Sequence, residues 1–152
     1  MQKILFAVLL GLAMAGGVLA QTADNMWLTD FESAKKTAAE KKLPILADFS
    51  GSDWCGWCMK LDREVFSQKE FKEFASDNLI LFLADFPRKK EQNEKLKAQN
   101  SELMKKYSVQ GFPTVLILDA EGKVLAGTGY EEGGAAAYVA HLKKLIAGAK
   151  KR

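Results

Sequence analysis

The stretch Pro44–Phe66, PILADFSGSDWCGWCMKLDREVF, holds both cysteines of the 152-residue chain, and its reading decides the fold. Pro44 to Phe49 is apolar at every position except Asp48, the pattern of a short buried strand. The following SGSD reads as a loop. A helix is expected to open near Cys55, with Ser52 or Asp53 as its N-cap and with Leu61 and Val65, four apart, on its inward face. Cys55 then sits in the first helical turn and Cys58 one turn deeper. Free backbone N–H groups and the positive end of the helix dipole favour a thiolate over a thiol at that first turn.

Structural zinc asks for four ligands, usually as two clustered pairs, and iron–sulfur centres generally ask for four thiolates. This chain has one cysteine pair and a single histidine, His141, beside the apolar stripe of the last helix. No metal and no cofactor are therefore expected. As a cross-link the pair would close a ring of only four residues and constrain the unfolded chain little. Two small core fillers at i and i+3 are the bland alternative. A C-x-x-C pair at a helix mouth supports two-step exchange instead: Cys55 attacks a partner disulfide, and the shielded Cys58 displaces the mixed disulfide.

On the N-terminal side, Thr29 and Glu32 resemble a capping box for a helix running to about Lys42, with Phe31, Ala34 and Ala38 buried. On the C-terminal side, Ser67 and Glu70 repeat that signal and Phe66 and Phe71 suit a hydrophobic staple, so the cysteine-bearing helix is expected to kink or restart at Ser67. Leu79–Ala84 has no polar residue and reads as a central strand covered on both faces. A polar loop follows over Asp85–Asn93, then a helix on which Leu96, Leu103, Met104 and Tyr107 recur at core-facing spacing. In YSVQGFPTVLILDAEGKVLA, Tyr107–Ala126, the strand Thr114–Leu118 turns at Asp119–Gly122 and returns over Lys123–Ala126. Gly133-Gly134 leads into a last helix with Tyr138, Leu142, Leu145 and Ile146 inward. The order predicts an α/β fold, a mixed central sheet flanked by helices on both faces.

Residues 1–20 differ from the rest: Lys3, an unbroken apolar run from Ile4 to Leu12, then small residues. That anatomy predicts a secretory signal peptide, cleaved after Ala20 or at the earlier small-x-small site ending at Ala15. One domain over 21–152 would then reside in the periplasm or be secreted. The 17 uncharged residues Ile4–Ala20 also reach the lower limit for spanning a bilayer, so an N-terminal membrane anchor is the alternative. The formal net charge is +3, and loss of Lys3 leaves +2. Lys41-Lys42, Arg88-Lys89-Lys90, Lys105-Lys106 and Lys143-Lys144 are interleaved with acids and apolar residues, a solvated surface rather than a nucleic-acid footprint. The terminal Lys150-Lys151-Arg152 is expected to be a frayed, solubilising tail.

WCGWC after PILADF, followed downstream by YSVQGFPTV, resembles the thioredoxin superfamily, in particular its exported bacterial members with an S-D-W-C-x-W-C signature. The resemblance implies a thioredoxin fold with an extra N-terminal helix, Cys55 as nucleophile and Cys58 as resolving thiol. It implies that Pro113 is a cis-proline, that the backbone of Phe112 pairs with an extended substrate, and that Trp54 walls the site. Trp57, Phe112 and Trp54 would form an apolar docking rim. Asp48 matches the family's buried acid, which takes or relays the Cys58 proton; burial should raise its pKa towards neutrality. Its alternative is to leave the strand face and cap a loop. The sequence departs from ordinary thioredoxin in placing Trp57 where proline is usual and in setting Asp48 seven positions before Cys55, one more than usual. The implied protein is a monomeric protein-disulfide oxidoreductase, reductase or isomerase rather than oxidase. Its partners would be protein thiols and disulfides, with a membrane thiol-reductant as electron donor. A non-catalytic peptide-binding module is the rival reading.

Overall fold

The strand Ile45–Ser50 organises the sheet, buried at all six positions as the PILADF pattern predicts. The computed structural model describes residues 26–149; the expectations for the signal segment, for residues 21–25 and for the tail 150–152 lie outside the described residues. In chain order the elements are β1 (Trp27–Leu28), α1 (Phe31–Lys41), β2 (Ile45–Ser50), α2 (Gly56–Leu61), a π turn (Asp62–Phe66) and α3 (Lys69–Asn78). There follow β3 (Ile80–Asp85), α4 (Glu94–Lys106), β4 (Thr114–Leu118), β5 (Val124–Thr128) and α5 (Gly134–Ala149). The five strands lie in the order β1-β3-β2-β4-β5, with β2 parallel to β3 and antiparallel to β4. The sheet is mixed and carries helices on both faces, as expected.

Period-two alternation along β2 sorts the core. Ile45, Ala47 and Phe49 pack with Phe31, Ala34 and Ala38 of α1 and Leu103 of α4. Leu46 packs on the other face with Leu61, Val65 and Phe66, Phe71 of α3, and Tyr138 and Leu142 of α5. By the same alternation Asp48 shares the face of Leu46, the face that α2 covers. Its neighbours in register are Leu83 on β3 and Val115 on β4, so apolar side chains flank the carboxyl group on both sides.

Two local expectations need correction. The N-cap of α1 is Asp30, whose carboxylate accepts from the Ser33 N–H at 2.8 Å, and not Thr29. Thr29 instead offers its carbonyl to the Gln99 side chain, which also accepts from the Phe31 N–H. At α3, Gln68 occupies the cap and Ser67 bonds back to Asp62, because the π turn inserts an extra residue and moves the helix start beyond the S-x-x-E signal. The Phe66–Phe71 contact does form, with ring centroids 4.9 Å apart. The apolar strand β3 is internal, paired with β1 on one edge and β2 on the other, as its lack of polar residues predicts. The edge pair Trp27–Leu28 was not foreseen, since two residues carry no period. His141, midway along α5, is partly buried, its Nε2 3.0 Å from the Thr128 hydroxyl.

Candidate active site

The loop leaving β2 is a turn before it is a helix. Trp54 and Cys55 N–H groups both donate to the Gly51 carbonyl, at 3.2 and 2.9 Å, which delays the helix so that Cys55 itself is the N-cap. Neither Ser52 nor Asp53 caps α2, contrary to expectation, because each finds a partner across the loop. Ser52 donates through its N–H and its hydroxyl to the Asp85 carboxylate at the end of β3. Asp53 accepts from the backbone N–H groups of Arg88, Lys89 and Lys90, at 2.9, 2.8 and 2.9 Å. Those bonds, the Arg88 N–H first, hold the Asp53 carboxyl below its ordinary pKa despite a smaller opposing effect of desolvation. Gly51 is required by close approach: a Cβ there would lie 2.5 Å from the Trp54 indole.

Cys55 and Cys58 are joined in a disulfide, and both residues are buried, Cys58 at 4% exposure and Cys55 at 8%. The Cys58 N–H donates to the Cys55 sulfur at 3.2 Å, so a free amide of the first turn of α2 is aimed at that sulfur. A negative charge formed on Cys55 would meet this donor without rearrangement. Cys58 and Asp48 line one cavity of about 440 Å³, together with Ser50, Ser52, Asp62 and Lys90. Asp48 is 5% exposed, and its Oδ1 has no hydrogen-bond partner, so it caps no loop. Burial above all, then the negative charges of Asp62 and Asp85, push its pKa up to about 8.

Two aromatic groups flank the cysteines. On the β3 side, Trp54 donates its indole N–H to the Phe86 carbonyl at 2.8 Å and meets the Phe112 ring edge-on at 6.0 Å. Phe86 stacks on Phe112, and the Arg88 guanidinium covers the Trp54 ring at 3.6 Å from its centroid. Trp54 and Phe112 are half-buried, so neither is the open apolar rim the sequence suggested. Trp57 does match that expectation, at 57% exposure. On its own side it packs against Tyr130 at 5.2 Å, with the Lys60 ammonium over both rings and the Tyr130 hydroxyl donating to Glu64. The Phe112–Pro113 peptide bond is cis. Sequence reasoning missed Phe86, Arg88 and Tyr130, which reach the site from distant loops and carry no local signature, and Lys60, which lies on α2 itself but finds its ring partner Tyr130 only in the fold.

The arrangement can form and break one disulfide reversibly, with the buried carboxyl group of Asp48 lining the same cavity as the inner cysteine. On a mixed sheet flanked by helices this is the chemistry of a thiol-disulfide oxidoreductase of the thioredoxin superfamily. A family model described as a thioredoxin-like domain matches residues 31–146, and the chain belongs to that family. It is 40% identical over 124 residues to a protein named disulfide bond reductase DsbH from Chlamydia pneumoniae, covering 82% of this chain and 75% of that one. A solved structure named DsbH oxidoreductase superposes with a TM-score of 0.75 at 39% identity, covering 87% of this chain and 94% of the other. The chain is also 31% identical over 120 residues to a thiol:disulfide interchange protein DsbD from Pectobacterium atrosepticum, a match that takes in 77% of this chain but 18% of that longer protein.

Proposed function

We propose that this protein is an exported protein-disulfide reductase, acting as a monomer in the periplasm. The observation that carries the reading is the shared cavity of Asp48 and Cys58 behind a Cys55 that caps α2. Identity to a protein named a disulfide bond reductase supports the direction. The leader-like residues 1–20 support export, and among the described residues no helix is long and apolar enough to cross a membrane.

In the reductive direction the Cys55 thiolate attacks one sulfur of a substrate disulfide. The substrate S–S bond breaks, its other sulfur leaves as a thiolate and takes a proton, and a mixed disulfide joins Cys55 to the substrate. The ionised fraction of Asp48, a minority at neutral pH that grows as pH approaches 8, then accepts the Cys58 proton. A carboxylate whose conjugate acid has a pKa of about 8 receives it from a thiol of ordinary pKa about 8.5 at little cost. The Cys58 sulfur attacks Cys55, the substrate's second sulfur departs, and the enzyme is left with the Cys55–Cys58 disulfide. Two electrons have moved from enzyme to substrate. A dithiol donor must return them, and a membrane-held thiol-reductant fits a protein similar to part of a thiol:disulfide interchange protein. Trp57, Phe112 and Trp54 border the approach, and the backbone beside cis-Pro113 suits an extended segment.

Cys58→Ser tests exchange directly. Incubated with a disulfide-bonded protein, it should accumulate a mixed disulfide through Cys55, visible on a non-reducing gel and absent from Cys55→Ser. A peptide-binding module would trap nothing. Equilibration of the wild-type pair with glutathione should give a reducing couple, with turnover of insulin disulfides. Mass spectrometry of the mature N-terminus separates a cleaved leader from a retained anchor.

A further inference from the structure

The three amides held by Asp53 belong to a loop with an unusual concentration of charge. Between β3 and α4 the segment Phe86–Gln92 presents Arg88, Lys89 and Lys90 in succession, all exposed, against the single acid Glu91. Exposed basic side chains ordinarily mark a solvated surface, but here the backbone beneath them is fixed. Besides the Asp53 bonds, Phe86 donates to the Ser50 carbonyl, and the Gln92 and Asn100 side chains both donate to the Asp85 carbonyl. Arg88 lies flat on Trp54, the residue before Cys55, and Lys90 lines the cavity of Cys58 and Asp48. The cations are therefore held at the lip of the exchange site.

The opposite lip has the other sign. Strands β2, β3 and β5 run in the same direction, so the loops after β3 and β5 flank the cysteine loop on its two sides. The loop after β5 carries Tyr130, Glu131 and Glu132, the last two exposed, and Glu64 joins them through the Tyr130 hydroxyl. Two cations offset part of that charge: Lys60, resting on Trp57 and Tyr130, and Arg63, 3.6 Å from the Glu64 carboxylate, which leaves the three acids in excess. An extended segment crossing the site meets a cationic lip on the Trp54 side and a net acidic lip on the Trp57 side.

We propose that the Arg88-Lys89-Lys90 loop, positioned by Asp53, is a specificity-determining rim that selects disulfides flanked by acidic side chains. Arg88, Lys89 and Lys90 recognise the carboxylates, and Asp53 is a positioning residue that acts through them. This deepens the reductase reading and rests on it. Each exposed charge pair contributes modestly, but three cations carried on one fixed backbone segment add up to about a tenfold preference at low ionic strength. Salt erodes such a preference within a Debye length.

The test uses the reduced full-length protein and three disulfide-linked peptides identical except for two flanking residues, Glu, Gln or Lys. Wild type should reduce the Glu peptide about tenfold more efficiently than the Lys peptide at low salt, with the difference in KM and with the Gln peptide between them. The ratio should fall towards one at high salt. Arg88→Glu combined with Lys89→Glu should invert it. Asp53→Ala should raise KM for the Glu peptide severalfold at little change in kcat, and Asp53→Asn, which keeps one acceptor oxygen, should recover part of the loss. Equal turnover of the three peptides by wild type overturns the rim and leaves the reductase reading standing. Absence of turnover with all three overturns both.

Discussion

Asp48 has the most consequential environment of any single residue. It is a carboxyl group between Leu83 and Val115, and burial raises its pKa to about 8. Between about pH 4 and 8 the folded oxidised protein holds a proton that the unfolded chain has released. Stability from this group is thus complete below pH 4, declines as pH rises and is gone above the folded pKa. Asp48→Ala should flatten that decline and make the oxidised protein more stable than wild type at pH 8, by on the order of 3 kcal/mol in urea unfolding. The same variant should release the mixed disulfide about 100-fold more slowly in single-turnover exchange, as expected when a positioned base is lost. A variant with the wild-type pH profile and wild-type release would remove Asp48 from the mechanism. The sequence allowed both the buried acid and a loop cap. Only the orphaned Oδ1 and the shared cavity with Cys58 distinguish them.

Among the elements, short-range signals told where helices occur more accurately than which residue begins them. The α1 helix shows why: Thr29, Asp30 and Glu32 offer overlapping caps, and the winner depends on Gln99, about seventy residues away, engaging the backbone on either side. Asp30→Ala should cost about 1 kcal/mol in thermal or urea unfolding, and Thr29→Ala only a few tenths. The reverse order would restore the Thr29 box. At the cysteine helix the same lesson is chemical. With Ser52 and Asp53 engaged elsewhere, Cys55 takes the cap position and its sulfur accepts the Cys58 N–H of the first turn. The two helices after β2 were legible as a break near Ser67, but the π turn that produces the break leaves no mark beyond the position of the polar residues.

At the scale of the whole molecule, the strands β2 and β4 and the two cores were legible because apolar runs between breakers have few other uses. Alternation along β2 then fixed the face of Asp48. Pairing order was less accessible: the apolar run of β3 marks it as internal, which it is, but no local signal puts β2 between β3 and the β4–β5 hairpin. The link from Asp53 to residues 88–90 and the approach of Tyr130 to Trp57 arise only when three loops converge at one end of the sheet. The central claim concerns what that convergence does to two sulfurs. The most direct measurement is the pH dependence of alkylation of each cysteine in the reduced protein, followed by mass spectrometry. The account predicts that Cys55 reacts with a midpoint clearly below the ordinary thiol value of about 8.5, while Cys58 is labelled slowly throughout. Equal labelling of the two, with a common midpoint at or above that value, would contradict it.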